Sequence, residues 1–194
     1  MQLPKLILAS GSPRRVEILN SVGWKFEKHV ADIDESLLEG EAHENYVVRL
    51  AREKAEAVAV KFPDSIVLGA DTTVVIDDHI LGKPVDMSDA RRMLRLLSGN
   101  WHEVLTGIAV VRNGVTRSAL QRTRVKFIDM TDQEIEFLAA EGDPLDKAGA
   151  YAVQAQAALF IEKVEGEYWN VVGLPINLVY QLVIQKGETV TASP

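Results

Sequence analysis

The chain has 194 residues, 47% hydrophobic and 25% charged, which suits one globular domain with two lobes allowed and excludes a disordered or fibrous polymer. A formal net charge of -7 and a pI near 5.2 argue against a duplex nucleic-acid binder, whose affinity rests on a basic footprint. Cysteine is absent, which removes disulfides, zinc-thiolate sites and a thiol nucleophile. The opening apolar run is too short for a signal h-region, and no stretch approaches the ~20 apolar residues of a membrane span, so a cytoplasmic protein away from the membrane is expected.

Leu6 to Ala9 reads as a buried strand, and Ser10-Gly11-Ser12-Pro13 as the turn after it. A helix follows, with Ser12 as N-cap, Pro13 at its first position, Val16, Leu19 and Val22 on nearby turns, and Gly23 as its end. From Glu41 to Phe62, Val47, Leu50, Ala51, Ala55, Val58 and Phe62 recur at three- and four-residue spacing, which predicts a second helix. Ser65 to Ala70 then reads as a central strand with Asp71-Thr72-Thr73 at its C-terminal end and Val74 to Ile76 continuing extended. Asp77 to His79 is a turn, and Leu81 to Pro84 a loop.

Ser88 is the expected cap of a helix that Ser98-Gly99 ends. Asn113-Gly114 fits a two-residue hairpin turn between strands at Val104 to Val111 and Val115 to Phe127. Thr131 with Glu134 predicts a capping box for a helix to about Ala140. A polar, glycine-rich stretch, a strand near Leu159 to Val164 and the segment Tyr168 to Gly173 lead to a last helix from Pro175 to Gly187, with a frayed tail at 188–194.

Chemistry concentrates in a few places. Ser10, Arg14 and Arg15 surround a helix N-terminus, where free N–H groups and guanidinium forks suit phosphate, although an ordinary capped helix would look the same. Lys54 falls near the apolar face of its helix, either snorkelling outward or aimed at an anion. Asp71 could act as base or metal ligand or be turn chemistry, and Glu35 could supply a second carboxylate or be a solvated loop acid. Asp146 to Gln154 combines small residues with groups able to read a ligand. The four histidines, His29, His43, His79 and His102, show no metal-ligand spacing, and His102 is taken as structural.

Taken in order, Ala9 to Arg15, the Glu35 loop, Lys54, Gly69 to Thr72, Gly82-Lys83-Pro84, Ser98-Gly99 with His102 and Thr106-Gly107, Asp146 to Gln154, and Asn170 to Pro175 resemble the Maf family of nucleoside triphosphate pyrophosphatases. The resemblance implies an α/β fold like that of inosine triphosphate pyrophosphatases, an elongated body around a mixed sheet with a cleft between two lobes. It also implies hydrolysis of a nucleoside triphosphate to the monophosphate and pyrophosphate. Arg14, Thr72 and the run from Asp146 to Gln154 are similar to the dTTP and UTP branch. Asp71 is then the proton acceptor, with Lys54, Lys83 and Glu35 as further catalytic groups. Ser10, Arg14, Arg15, Thr72 and Gln154 would bind substrate, and Glu35 with Asp71 a divalent cation, expected to be Mg²⁺, with Mn²⁺ or Co²⁺ allowed. The resemblance also allows a homodimer. Asp143 and Ala155 depart from the family pattern, the second beside the expected base-reading residue Gln154. A nucleotide-binding regulator of septum formation and a broad NTP-cleaning enzyme are the alternatives.

Overall fold

The computed structural model describes residues 2–184. The expected helix end at Gly187 and the tail at 188–194 lie outside the described residues. The elements run β1 (Leu6–Leu8), α1 (Pro13–Ser21), β2 (Phe26–Lys28), α2 (His43–Ala59), β3 (Ile66–Ile76), β4 (His79–Leu81), α3 (Met87–Leu97), β5 (Trp101–Arg112), β6 (Val115–Phe127), α4 (Asp132–Glu141), β7 (Ile161–Glu165), α5 (Tyr168–Val172) and α6 (Ile176–Ile184), with three short 3₁₀ turns between α4 and β7. The seven strands form one mixed sheet in the order β2-β1-β3-β5-β6-β7, with β4 paired to β3. The fold is therefore α/β with a mixed sheet. No helix among the described residues is long and apolar enough to cross a membrane.

The described residues divide into two compact units, one of residues 2–71, 106–121 and 173–184, the other of 72–105 and 122–172. In the first unit β1 pairs in parallel with β2 and with β3, matching Leu6 to Ile66 and Leu8 to Leu68. Helix α2 lies on this sheet through Ala51, Ala55 and Val58, which pack with Ile7, Ala9, Val67, Ala109 and Val111. The approach is close because two glycines allow it. A Cβ on Gly69 of β3 would stand 2.2 Å from the carbonyl oxygen of Ala51 and 2.8 Å from the amide of Ala55, and one on Gly107 of β5 would stand 2.2 Å from the carbonyl of Val47. Any side chain at either position would push the helix off the sheet.

In the second unit β4 folds back on β3 through Asp77 and Asp78, both with positive φ, a two-residue turn of the kind whose twist matches paired strands. His79, expected in a turn, and Leu81, expected in a loop, both belong to this short strand. Helices α3 and α4 are bridged by Arg91, which donates to both carboxylate oxygens of Glu136 at 2.6 Å. The capping box at Thr131 and Glu134 is present in both of its hydrogen bonds.

Several sequence expectations need correction. Asp86, not Ser88, caps α3, its carboxylate accepting from the amide of Asp89 at 2.8 Å. Helix α2 begins at His43 rather than Glu41, because Glu41 turns its carboxylate to Arg49 instead of entering the helix. In α1 the buried stripe is Arg15, Ile18 and Leu19, while Val22 lies outside at 43% exposure, since the helix ends at Ser21. The Ser12 side chain makes no cap, and its amide is met by Ser10 Oγ at 3.2 Å. Asp71 does not end its strand, because β3 continues unbroken to Ile76. The Asn113-Gly114 turn is as expected, both residues having positive φ between β5 and β6.

Candidate active site

The chemistry of the first unit gathers where β3 passes α1 and α2. The stretch of β3 paired with β1 ends at Leu68, whose carbonyl accepts from the amide of Ala9 at 2.8 Å, and Asp71 follows three residues on. Because Gly69 lets α2 sit against this strand, Lys54 reaches Asp71 directly: its Nζ donates to Asp71 Oδ1 at 2.6 Å. The same Nζ lies 2.8 Å from Glu35 Oε1. The snorkelling account of Lys54 is thereby replaced, for only 11% of its side chain is exposed and its ammonium is shared by two carboxylates.

Burial is the largest influence on Asp71 and raises its pKa above the ordinary carboxylate value, against the opposing pull of Lys54 and Arg15. A carboxylate held in that condition is a stronger proton acceptor than a solvated one. Tyr46, on the facing side of α2, is raised by burial and by the negative charge of Asp71 and Glu35.

Arg15 is buried, with a role its sequence position did not reveal. Its Nη1 donates to Ser10 Oγ at 2.9 Å and to the carbonyl of Ala70 at 2.7 Å, and its Nε to the carbonyl of Gly173 at 2.9 Å. One guanidinium thus ties the turn after β1, the strand bearing Asp71 and the start of the segment leading into α6. Burial lowers the Arg15 pKa, an effect countered by the charge of Asp71. Ser10 is itself buried and accepts from both Arg15 and the Ser12 amide, while Arg14 is partly exposed on the first turn of α1.

The other candidate residues belong to the second unit. Thr72 follows Asp71 in β3 and is half-buried; Lys83 is exposed in the loop between β4 and α3; Gln154 is exposed before the last 3₁₀ turn. Gly149 connects two of these segments, its amide donating to the carbonyl of Gly82 at 3.1 Å, next to Lys83. It has φ +70°, and a Cβ there would meet Val74 at 2.9 Å, so glycine is required on both counts. Ala155 has φ -119°, a conformation open to any residue, so its departure from the family pattern introduces no backbone strain.

Two residues of α2 escaped the sequence reading. Tyr46 donates its hydroxyl to the carbonyl of Glu35 at 2.9 Å, and Arg49 donates to that of Ser36 at 3.0 Å. Their spacing with Glu53 along one face of α2 was a visible signal, but nothing local tied that face to the Glu35 loop. Asn170 is fully buried and donates to the carbonyl of Val104 at 2.9 Å and to Thr123 Oγ1 at 3.0 Å. His102 is buried against Tyr151, with Nε2 2.7 Å from the hydroxyl, and both rings pack on Phe127. The structural reading of His102 agrees with that place.

Comparison with known proteins gives a consistent result. The family described as Maf-like protein matches residues 5–186. The dTTP/UTP pyrophosphatase of Geotalea uraniireducens (strain Rf4) is 55% identical over 185 residues, covering 94% of this chain and 95% of that protein. Those of Anaeromyxobacter dehalogenans (strain 2CP-C) and Symbiobacterium thermophilum are 51% and 45% identical, each covering 95% of both chains. The Staphylococcus aureus Ham1 protein superposes with a TM-score of 0.53 at 13% identity, over 92% of this chain and 97% of that one, a likeness of fold alone. A match over nearly the whole chain, with relatives at about half identity, is decisive: this chain belongs to the Maf-like protein family.

Proposed function

We propose that this chain is a nucleoside triphosphate pyrophosphatase that hydrolyses dTTP and UTP to the monophosphate and pyrophosphate. The observation that carries the reading is the largely buried carboxylate of Asp71, raised in pKa and held 2.6 Å from Lys54 Nζ in a chain whose relatives bear that activity in their names. In the reaction, water attacks the α-phosphorus and Asp71 accepts its proton. The bond between the α-phosphorus and the bridging oxygen breaks, and pyrophosphate leaves with the electron pair. Lys54 keeps Asp71 ionised and oriented. Arg14 and Lys83 meet the charge of the triphosphate, and Ser10, fixed by Arg15, orients a phosphate oxygen. Thr72 and Gln154 read the base, since an amide offers both a donor and an acceptor to a pyrimidine edge.

Glu35 and Asp71 are suited to a divalent cation. Both carboxylates stand on one Lys54 ammonium, so the pair keeps a net negative charge, and hard oxygen donors of this kind suit Mg²⁺, which is held by one or two carboxylates together with substrate phosphates. Among the described residues no group of three or more His, Cys, Asp or Glu comes together that could hold a metal ion, and the reading assigns these two carboxylates as the protein's share. When bound, such an ion supplies charge neutralisation at the phosphates. The reading places the enzyme in the cytoplasm, where nucleoside triphosphates are made and spent.

Pyrophosphate release from dTTP, UTP, CTP and GTP, with Mg²⁺, Mn²⁺ and Co²⁺ in turn, tests this. The reading expects dTTP and UTP to lead, and Gln154→Ala to change the nucleotide ranking more than the chemistry. Equal rates for all four, or orthophosphate as the product, would overturn it.

A further inference from the structure

Residues 29–42 form neither helix nor strand, and Glu35 lies in the exposed part of this loop with 58% of its side chain open to solvent. A carboxylate on such a segment would ordinarily sample many positions, and fixing it costs conformational entropy. Yet it stands 2.8 Å from the nearly buried Lys54 Nζ. The fixing comes from α2. Tyr46 donates its hydroxyl to the carbonyl of Glu35, and Arg49 donates Nη2 to the next carbonyl, that of Ser36. Arg49 is in turn held by a two-pronged bond to Glu41, at 2.7 and 2.8 Å, and by Glu53 one helical turn on. Glu41 also accepts the amide of Leu38 at 3.2 Å, and Asp34 accepts that of Ser36 at 2.9 Å, so the loop is tied on both sides of Glu35.

We propose that Tyr46 and Arg49 are positioning residues for Glu35, which hold two consecutive carbonyls of its loop so that the carboxylate is presented beside Lys54 for cation binding. This rests on the reading that Glu35 serves the proposed divalent site. An anchor meant only to tidy the loop could have fallen anywhere in it; both α2 donors fall on Glu35 and its neighbour. Helix α2 therefore supplies the ammonium at Lys54 and, from the two turns before it, the clamp for the acid.

The test is Mn²⁺ binding to the full chain, followed by electron paramagnetic resonance with the metal alone, for the parent, Tyr46→Phe, Arg49→Lys, Glu35→Gln and the double variant Tyr46→Phe with Glu35→Gln. Loss of one positioning hydrogen bond should weaken Mn²⁺ binding about three- to tenfold in Tyr46→Phe. Arg49→Lys, which loses the fork to Glu41 as well, should be weakened more. In the Glu35→Gln background the Tyr46 change should have no further effect, because it acts only through Glu35. Tyr46→Phe removes a single hydroxyl, so it keeps the test valid if Arg49→Lys fails to fold. Parental Mn²⁺ affinity in Tyr46→Phe, beside a weakened Glu35→Gln, would overturn the proposal while leaving the role of Glu35 intact. An undiminished effect of Tyr46→Phe in the Glu35→Gln background would overturn it too. Glu35→Gln binding Mn²⁺ as the parent does would instead defeat the underlying reading of the site.

Discussion

Arg15 Nη1 donates to the carbonyl of Ala70, the residue before Asp71, at 2.7 Å, so the first helix fixes the backbone that presents the acid. The carboxylate proposed as proton acceptor is thereby held from two directions, at its chain by Arg15 and at its oxygen by Lys54.

This arrangement predicts the behaviour of Arg15→Lys. Lysine keeps the charge but cannot bridge Ser10, Ala70 and Gly173 together, and each lost bond to a buried charge is worth about 1.5–3 kcal/mol. The variant should unfold at lower denaturant concentration and lose turnover on dTTP. Parental values in both urea titration and pyrophosphate release would show that the bridge is dispensable.

The raised pKa of Asp71 predicts the acid side of the rate profile. Because burial lifts it above the ordinary 3.8, kcat/KM should fall with decreasing pH at an apparent pKa higher than that of a solvated aspartate. Asp71→Asn should abolish this limb and lower turnover by at least ~10²-fold. Lys54 pulls the same pKa down, so the residual activity of Lys54→Met should show the limb moved to still higher pH.

Gly69→Ala should be costly although it removes no functional group. Its Cβ would stand 2.2 Å from the Ala51 carbonyl, and the strain of moving α2 is about 1–3 kcal/mol for an overpacked core. Turnover should fall with stability, since the displaced helix carries Lys54. Gly11→Ala is the control for stability: the nearest atoms to its Cβ are those of Val30 at 3.8 Å, and thermal melting should stay at the parental Tm.

His102 predicts how stability depends on pH. Burial pushes its pKa from 6.5 down to about 3, so between those values the unfolded chain binds a proton that the folded chain refuses. Stability from this group is full above about pH 6.5 and is lost as pH falls toward 3, by on the order of 5 kcal/mol at 1.36 kcal/mol per unit. His102→Gln should flatten the pH dependence of the urea midpoint across that window. An unchanged slope would mean that His102 does not titrate there.

Much of this was legible in the residues because it is local. The Asn113-Gly114 turn, the Thr131–Glu134 capping box and the apolar stripe of α2 from Val47 to Val58 each depend on neighbours within a few positions, and each stands where the pattern placed it, while Phe62, expected at the end of that stripe, lies beyond the helix end at Ala59. The errors were local as well but involved competition: Glu41 was drawn off by Arg49, and Asp86 outcompeted Ser88 for the end of α3. The family resemblance brought Asp71, Lys54 and Glu35 onto one list, although spacing alone left each with an ordinary explanation.

By itself the sequence determined most of the element types, the acidic composition, and the set of residues with the right chemistry, all properties of composition and short-range pattern. Only the tertiary structure decided that Lys54 faces Asp71 across a glycine contact, that Arg15 spends its donors on the protein, and that Tyr46 and Arg49 hold the Glu35 loop. The reason is that hydrogen bonds and charges act over a few ångströms of space, and residues 17, 55 or 158 positions apart come within that range only when the sheet and helix pack.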